Sequence, residues 1–96
     1  FVSMGMNAAL KTRQILDNAD GVLAIELIGA AQALDFRDFG PGQGTRAAHA
    51  AVREVVAHLD ADRPLFKDHN AMKAAVKACS VLDAVQARVG ELLPSW

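Results

Sequence analysis

The chain has 96 residues, of which 52% are hydrophobic and only 5% aromatic, and its formal net charge is −1. This length allows one domain, and the interleaved acidic and basic residues exclude a basic surface of the kind that binds nucleic acid. Nineteen of the hydrophobic residues are alanine, the strongest helix former, and tyrosine is absent. The composition predicts an all-α fold with close helix contacts, in a single helical segment over residues 1–96.

The single cysteine, Cys79, excludes an internal disulfide bond and is typical of proteins in a reducing compartment. The first residues lack the charged and then apolar layout of a signal peptide. The longest apolar run, residues 22–33, is interrupted by Glu26 and Gln32 and is too short to span a membrane. We therefore expect a cytoplasmic protein with neither a membrane nor a nucleic acid as partner.

The first predicted element is a long helix over residues 1–37, a range without proline. Ser3 is a candidate N-cap, and a break is expected at residues 18–21, Asn-Ala-Asp-Gly. The second part of the helix, residues 22–36, is apolar on nearly every side, which is typical of a helix buried in a large core. The rest of the chain supplies too few helices to cover it. The pattern therefore indicates a piece of a larger assembly or a tight oligomer.

A loop rich in glycine and proline, residues 39–44, follows the long helix. We expect a second helix over residues 45–59 and further C-terminal helices over residues 68–93. Side chains that can cap these helices through hydrogen bonds stand near the predicted starts. The candidate caps are Thr45, Asp68 and Ser80.

Nothing in the sequence predicts a catalytic constellation or a metal site. His49 and His58 are nine positions apart on the predicted second helix, which would place them on opposite faces and exclude a shared metal ion. His69 belongs to a separate element. The glycine-rich loop lacks the lysine and following serine or threonine of a phosphate-binding loop. We therefore expect the histidines to be solvated or to cap helices.

Glu26 and Gln32 are the polar exceptions in the apolar part of the long helix. One interpretation is that both are satisfied by buried hydrogen bonds to neighbouring helices. The other is that Glu26 is a buried carboxylate that serves a functional site. We favour the first interpretation.

Several short blocks carry a resemblance to a known family. Val-Ser-Met-Gly stands at residues 2–5, and residues 22–27 and 30–37 keep polar residues at fixed places in an apolar helix. Pro-Gly-Gln-Gly-Thr follows at residues 41–45, and Leu-Asp-Ala-Asp-Arg-Pro-Leu at residues 59–65. Together they resemble the C-terminal segment of histidine ammonia-lyases, in the aromatic amino acid lyase family. The resemblance covers most of the chain and weakens towards its end.

The resemblance implies a homotetramer with a large helical-bundle core that converts L-histidine to urocanate and ammonia. The partners of this segment would be the rest of the lyase chain and the other subunits. The family's electrophile is a methylidene-imidazolone ring formed from an internal Ala-Ser-Gly. This sequence contains no Ala-Ser-Gly and no tyrosine, so the resemblance assigns it no catalytic, cofactor-binding or metal-binding residue. The segment alone is expected to be inactive.

The resemblance places Phe1, Val2 and Ser3 directly after the family's Gln-Glu-Asp motif and hence beside the active site. Phe1 stands where many members carry histidine, which leaves the substrate open. A phenylalanine or tyrosine ammonia-lyase, or an aminomutase, is therefore an alternative. A second alternative is a non-catalytic helical interaction module, whose gene would encode neither Ala-Ser-Gly nor Gln-Glu-Asp.

Overall fold

The computed structural model describes residues 4–38 and 40–92. These residues form four helices and no strand, which confirms the predicted all-α fold. In the same ranges, no helix combines the length and the apolar character needed to cross a membrane. The helices are α1 (Gly5–Asp35), α2 (Gln43–Arg53), α3 (Phe66–Lys77) and α4 (Ser80–Val89).

Helix α1 is uninterrupted, and the break expected at residues 18–21 is absent. Helix α3 packs along this stretch and supports it. The Nε2 of His69 donates a hydrogen bond of 3.1 Å to the Gly21 carbonyl, and Lys73 Nζ lies 2.8 Å from Asp17 Oδ2. A glycine inside a helix costs roughly 1 kcal/mol relative to alanine. These contacts between distant residues offset that cost, which local sequence alone does not reveal.

Helix α2 ends at Arg53, six residues before the predicted end at residue 59. Arg53 Nη1 donates to the Val56 carbonyl at 3.1 Å and stabilises the turn that leaves the helix. Beyond that turn, both backbone groups of Leu59 bind the side chain of Gln32 on α1, each at 3.1 Å. The connector between α2 and α3, residues 54–65, therefore gains tertiary hydrogen bonds in place of helical ones.

None of the three predicted caps occupies an N-cap position. Helix α2 starts at Gln43, so Thr45 lies inside its first turn. Asp68 likewise lies in the first turn of α3, which starts at Phe66 rather than residue 68. Ser80 is the first residue of α4, whose N-cap is Cys79.

Helix α4 ends at Val89, earlier than the predicted residue 93, which lies outside the described residues. Gly90 follows with a φ of 91°, a backbone conformation that residues with a side chain rarely adopt. The glycine therefore ends the helix at this point, in the manner of a glycine C-cap.

The core is small and lies between α1, α3 and the end of α2. Helix α1 packs mainly on α3, and α2 mainly on α4. The Cα radius of gyration is 16.6 Å, whereas a compact chain of this length has about 12.5 Å. The molecule measures 62 × 39 × 17 Å and is a thin slab. The buried residues that form the core cluster are Ala24, Ala31, Val52, Val56, Met72 and Ala75.

The apolar residues of the second part of α1 remain largely uncovered, as expected for a helix with too few neighbours. Phe36 is 73% exposed, and Val22, Leu23 and Ile25 are exposed as well. Ala24 and Ala31 are the only buried residues of this part. The chain by itself therefore presents a surface with the composition of a protein interior.

Candidate functional site

Three basic side chains converge on Asp35 at the C-terminal end of α1. Asp35 Oδ1 lies 2.6 Å from His49 Nε2, and Oδ2 lies 2.5 Å from both Arg53 Nη2 and His58 Nδ1. The Asp35 side chain is only 20% exposed. We call Asp35, His49, Arg53 and His58 the Asp35 cluster, which joins α1 to α2 and to the connector after α2.

The expectation that His49 and His58 lie on opposite faces of one helix is wrong. Helix α2 ends between them, and the connector returns His58 to the side on which His49 lies. The His58 ring also packs edge-to-face on Phe36, with ring centroids 5.9 Å apart, and its Nε2 lies 3.6 Å from Asp60. Neither histidine is simply solvated.

The Asp35 carboxylate is held in its charged form. The hydrogen bond from His58 is the largest cause that lowers the pKa of Asp35 far below its usual value, and those from His49 and Arg53 add to it. Partial burial acts in the opposite direction. A carboxylate that accepts several hydrogen bonds is a poor proton acceptor. The Asp35 cluster is therefore suited to fixing helices in place rather than to acid–base chemistry.

A second charged group links α1 to α3. Asp17 accepts hydrogen bonds from Lys73 and Lys77, and these two bonds, Lys73 first, lower the pKa of Asp17 to about 2. The bond to Asp17 raises the pKa of Lys77 in turn. Within residues 4–38 and 40–92, no three His, Cys, Asp or Glu side chains are grouped so that they could hold a metal ion.

The two polar residues of the apolar helix behave differently. Gln32 is partly buried, and its amide binds both backbone groups of Leu59, so the interpretation by hydrogen bonding is confirmed for Gln32. Its partners are the connector after α2 and, at 3.4 Å, Arg53 Nη2 at the end of α2, which donates to Gln32 Oε1. Glu26 is exposed at the edge of a groove, so burial of Glu26 within this chain is contradicted.

An open apolar groove of about 480 Å³ lies between α1 and the junction of α3 and α4. Apart from Glu26, its walls carry aliphatic side chains and the exposed Cys79. It offers no convergent polar groups of the kind that orient a small-molecule substrate. The lining residues are Leu23, Glu26, Leu27, Ala30, Val76, Cys79, Val81 and Leu82.

The residues predicted to stand beside an active site, Phe1, Val2 and Ser3, lie outside the described residues, and their role stays a prediction. Neither Asp17 nor Asp35 was predicted from the sequence to be the centre of a charged cluster. The partners of Asp35 lie 14 to 23 positions away and those of Asp17 up to 60 positions away. No local pattern in one sequence pairs residues at such distances.

Comparison with known proteins shows which family and which relatives the chain is similar to. The family described as aromatic amino acid lyase matches residues 1–54. Histidine ammonia-lyase of Myxococcus xanthus (strain DK1622) is 51% identical over 86 residues, which cover 88% of this chain and 17% of that protein. Histidine ammonia-lyase of Sorangium cellulosum (strain So ce56) is 45% identical over 92 residues, covering 95% of this chain and 18% of that protein. No solved structure matches the chain.

A third relative covers the same share of the chain as the second. Histidine ammonia-lyase of Symbiobacterium thermophilum is 49% identical over 94 residues, which cover 95% of this chain and 18% of that protein. The chain thus spans less than one fifth of the length of these relatives. With a family match over more than half of its residues, this chain belongs to the aromatic amino acid lyase family.

Proposed function

We propose that this chain is a segment of a histidine ammonia-lyase, an enzyme that converts L-histidine to urocanate and ammonia in histidine catabolism. The observation that carries the proposal is 51% identity to the Myxococcus xanthus histidine ammonia-lyase over 88% of the chain. Two more relatives of the same name match at 45% and 49% identity. The proposed location is the cytoplasm, in keeping with a single, exposed cysteine.

Within that enzyme, the proposed role of the segment is to supply core and subunit contacts of a homotetramer. The thin slab with apolar side chains on α1 exposed supports this role. Its charged clusters support it too, because they saturate their carboxylates with partners and join helices. The proposed partners are the rest of the lyase polypeptide and further subunits.

The methylidene-imidazolone group of the family would provide an electrophile in the intact enzyme. The residues of this chain do not fit its formation, because the sequence contains no Ala-Ser-Gly. We therefore assign no step of the reaction to residues of this segment. Phe1, Val2 and Ser3 are proposed to stand next to the active site as supporting residues.

The test is ammonia release by the full product of the gene that encodes this chain. L-histidine, L-phenylalanine and L-tyrosine are offered separately, and we expect turnover of L-histidine with urocanate as the second product. Turnover of L-phenylalanine or L-tyrosine instead would replace the proposal with the other lyases of the family. A folded protein that deaminates none of the three would favour the non-catalytic interaction module.

A further inference from the structure

One side of α1 carries a row of residues that points away from this chain's own core. At about 100° per residue, six of its positions between residues 8 and 29 fall within an arc of roughly 60° on the side opposite the buried Ala24. All six are exposed. We call them the outer stripe: Ala8, Lys11, Ile15, Val22, Glu26 and Gly29.

The outer stripe combines apolar, small and charged residues in an ordered way. Ile15 and Val22, at its middle, are 58% and 57% exposed. Ala8 and Gly29 lie near its ends, where small side chains permit a second helix to approach closely. Lys11 and Glu26 stand between, and neither forms an ion pair or side-chain hydrogen bond with any described residue. Opposite charges on one apolar surface are thus left without partners.

The order of these residues is symmetric about the midpoint between Asn18 and Ala19. Lys11 and Glu26 are equally far from that midpoint, and so are Ile15 and Val22. In an antiparallel pair of identical helices crossing there, Lys11 would lie level with Glu26 of the partner subunit. Ile15 would lie level with Val22 of the partner subunit, and each interface would contain two opposite-charge pairs.

The exposed area is large enough for such a contact. The chain exposes 7333 Å², whereas a compact monomer of this mass exposes roughly 5,300 Å². The excess of roughly 2,000 Å² per chain is more than a standard interface takes from one partner, which is about 800 Å². A second helix packed on the outer stripe would bury part of this additional exposed area.

We propose that the outer stripe binds the outer stripe of a second copy of this chain, antiparallel and around a twofold axis between Asn18 and Ala19. The Lys11 and Glu26 pairs fix the register of the two helices, because a shifted register leaves charges opposite apolar residues. The inference rests on the proposed function for the presence of several subunits. It adds the surface through which two subunits meet and the register of their helices.

The first test is charge exchange in the full product of the gene. Lys11→Glu and Glu26→Lys each place like charges level with one another, whereas the double variant restores two opposite pairs. We expect each single variant to raise the subunit concentration of half-dissociation at least about tenfold. The double variant is expected to return it to within about threefold of the unaltered protein. Lys67→Glu reverses a charge on α3, away from the outer stripe. It is the control and should leave assembly unchanged.

The second test is a disulfide bond across the proposed axis, in a background with Cys79→Ser. Ala19 is exposed beside the midpoint, so Ala19→Cys would bring two thiols within disulfide reach of each other. We expect an oxidised Ala19→Cys protein to run as a covalent dimer. Gln14→Cys, on the same helix but roughly 90° around it from the centre of the outer stripe, is the control and should remain uncrosslinked.

The proposal is overturned if the double charge variant assembles no better than the single ones, or if Ala19→Cys gives no dimer. Either result would mean that another part of the polypeptide covers the outer stripe. Turnover of L-histidine by the unaltered protein is measured alongside. If L-histidine is turned over but the double variant does not restore assembly and no covalent dimer forms, this contact is rejected and the proposed function is kept. If assembly is restored and the dimer forms without turnover, the contact is kept and the proposed function is rejected.

Discussion

At the scale of single residues, Asp35 and Asp17 make the main charged contacts between helix α1 and the rest of the chain. Each is an acidic residue on α1 that accepts hydrogen bonds from basic side chains of later segments. The bonds reach across long stretches of sequence and are mostly made at partly exposed sites. Their effect is to hold α2, the connector and α3 against one long helix.

The first prediction concerns Asp35. In the full gene product, Asp35→Asn should lower the midpoint temperature of unfolding, because the neutral amide loses the charge that binds Arg53 and both histidines. Differential scanning calorimetry measures this midpoint. Asp38→Asn, a change of the same kind at an exposed position nearby, should leave it unchanged. An equal midpoint for the unaltered protein and Asp35→Asn would contradict the anchoring role of the Asp35 cluster.

The second prediction concerns pH and Asp17. The folded-state pKa of about 2 lies below the ordinary 3.8, so the charged carboxylate stabilises the folded state above about pH 4. That contribution is lost as the pH falls from about 4 towards 2. The difference in unfolding midpoint between the unaltered protein and Asp17→Asn should therefore be constant from pH 7 to 5 and shrink below pH 4. A difference that grows on acidification would show that the sign is wrong.

At the scale of elements, hydrophobic periodicity and proline positions predicted that the chain is helical, and where its long helix lies. They misplaced the end of α2 by six residues. Val55 and Val56 continue the helical spacing of apolar residues from Val52, but the hydrogen bonds of Gln32 to Leu59 hold the chain in a connector. Such a competition between local and tertiary hydrogen bonds is decided by residues 27 positions apart, which no local window contains.

The charged clusters were beyond prediction for the same reason. His49 and His58 share a carboxylate only because the helix between them ends, so an error in one helix boundary becomes an error about a site. Glu26 and Gln32 were singled out correctly as polar exceptions. Their surroundings differ because Gln32 faces the connector and Glu26 faces the uncovered side of α1.

The third prediction tests the Gln32 contact. Gln32→Ala leaves both backbone groups of Leu59 without their side-chain partner, and the loss should lower the free energy of unfolding by roughly 1–3 kcal/mol. Amide hydrogen exchange, followed by mass spectrometry over residues 54–62, should become faster than in the unaltered protein. Gln14→Ala, at an exposed position of the same helix, is the matched control. Unchanged exchange in Gln32→Ala would mean that other contacts hold the connector.

At the scale of the whole molecule, a thin slab of four helices leaves the apolar sides of α1 in contact with water. Burial of apolar surface is the main favourable term in folding, and this chain buries only a small cluster of side chains. We therefore expect the stability of the segment to depend on surfaces contributed by other chains or other parts of the same polypeptide. Membership of the aromatic amino acid lyase family and the small share of each relative that the chain covers agree with this dependence.

We propose that the segment contributes to an ammonia-lyase through packing and assembly rather than through catalytic groups. Sedimentation of the full gene product over a dilution series, with ammonia release from L-histidine measured on each separated species, tests it most directly. We predict turnover in the four-subunit species and none in single subunits. Full turnover by single subunits would contradict the claim, because the active site would then form without the contacts that this segment is proposed to provide.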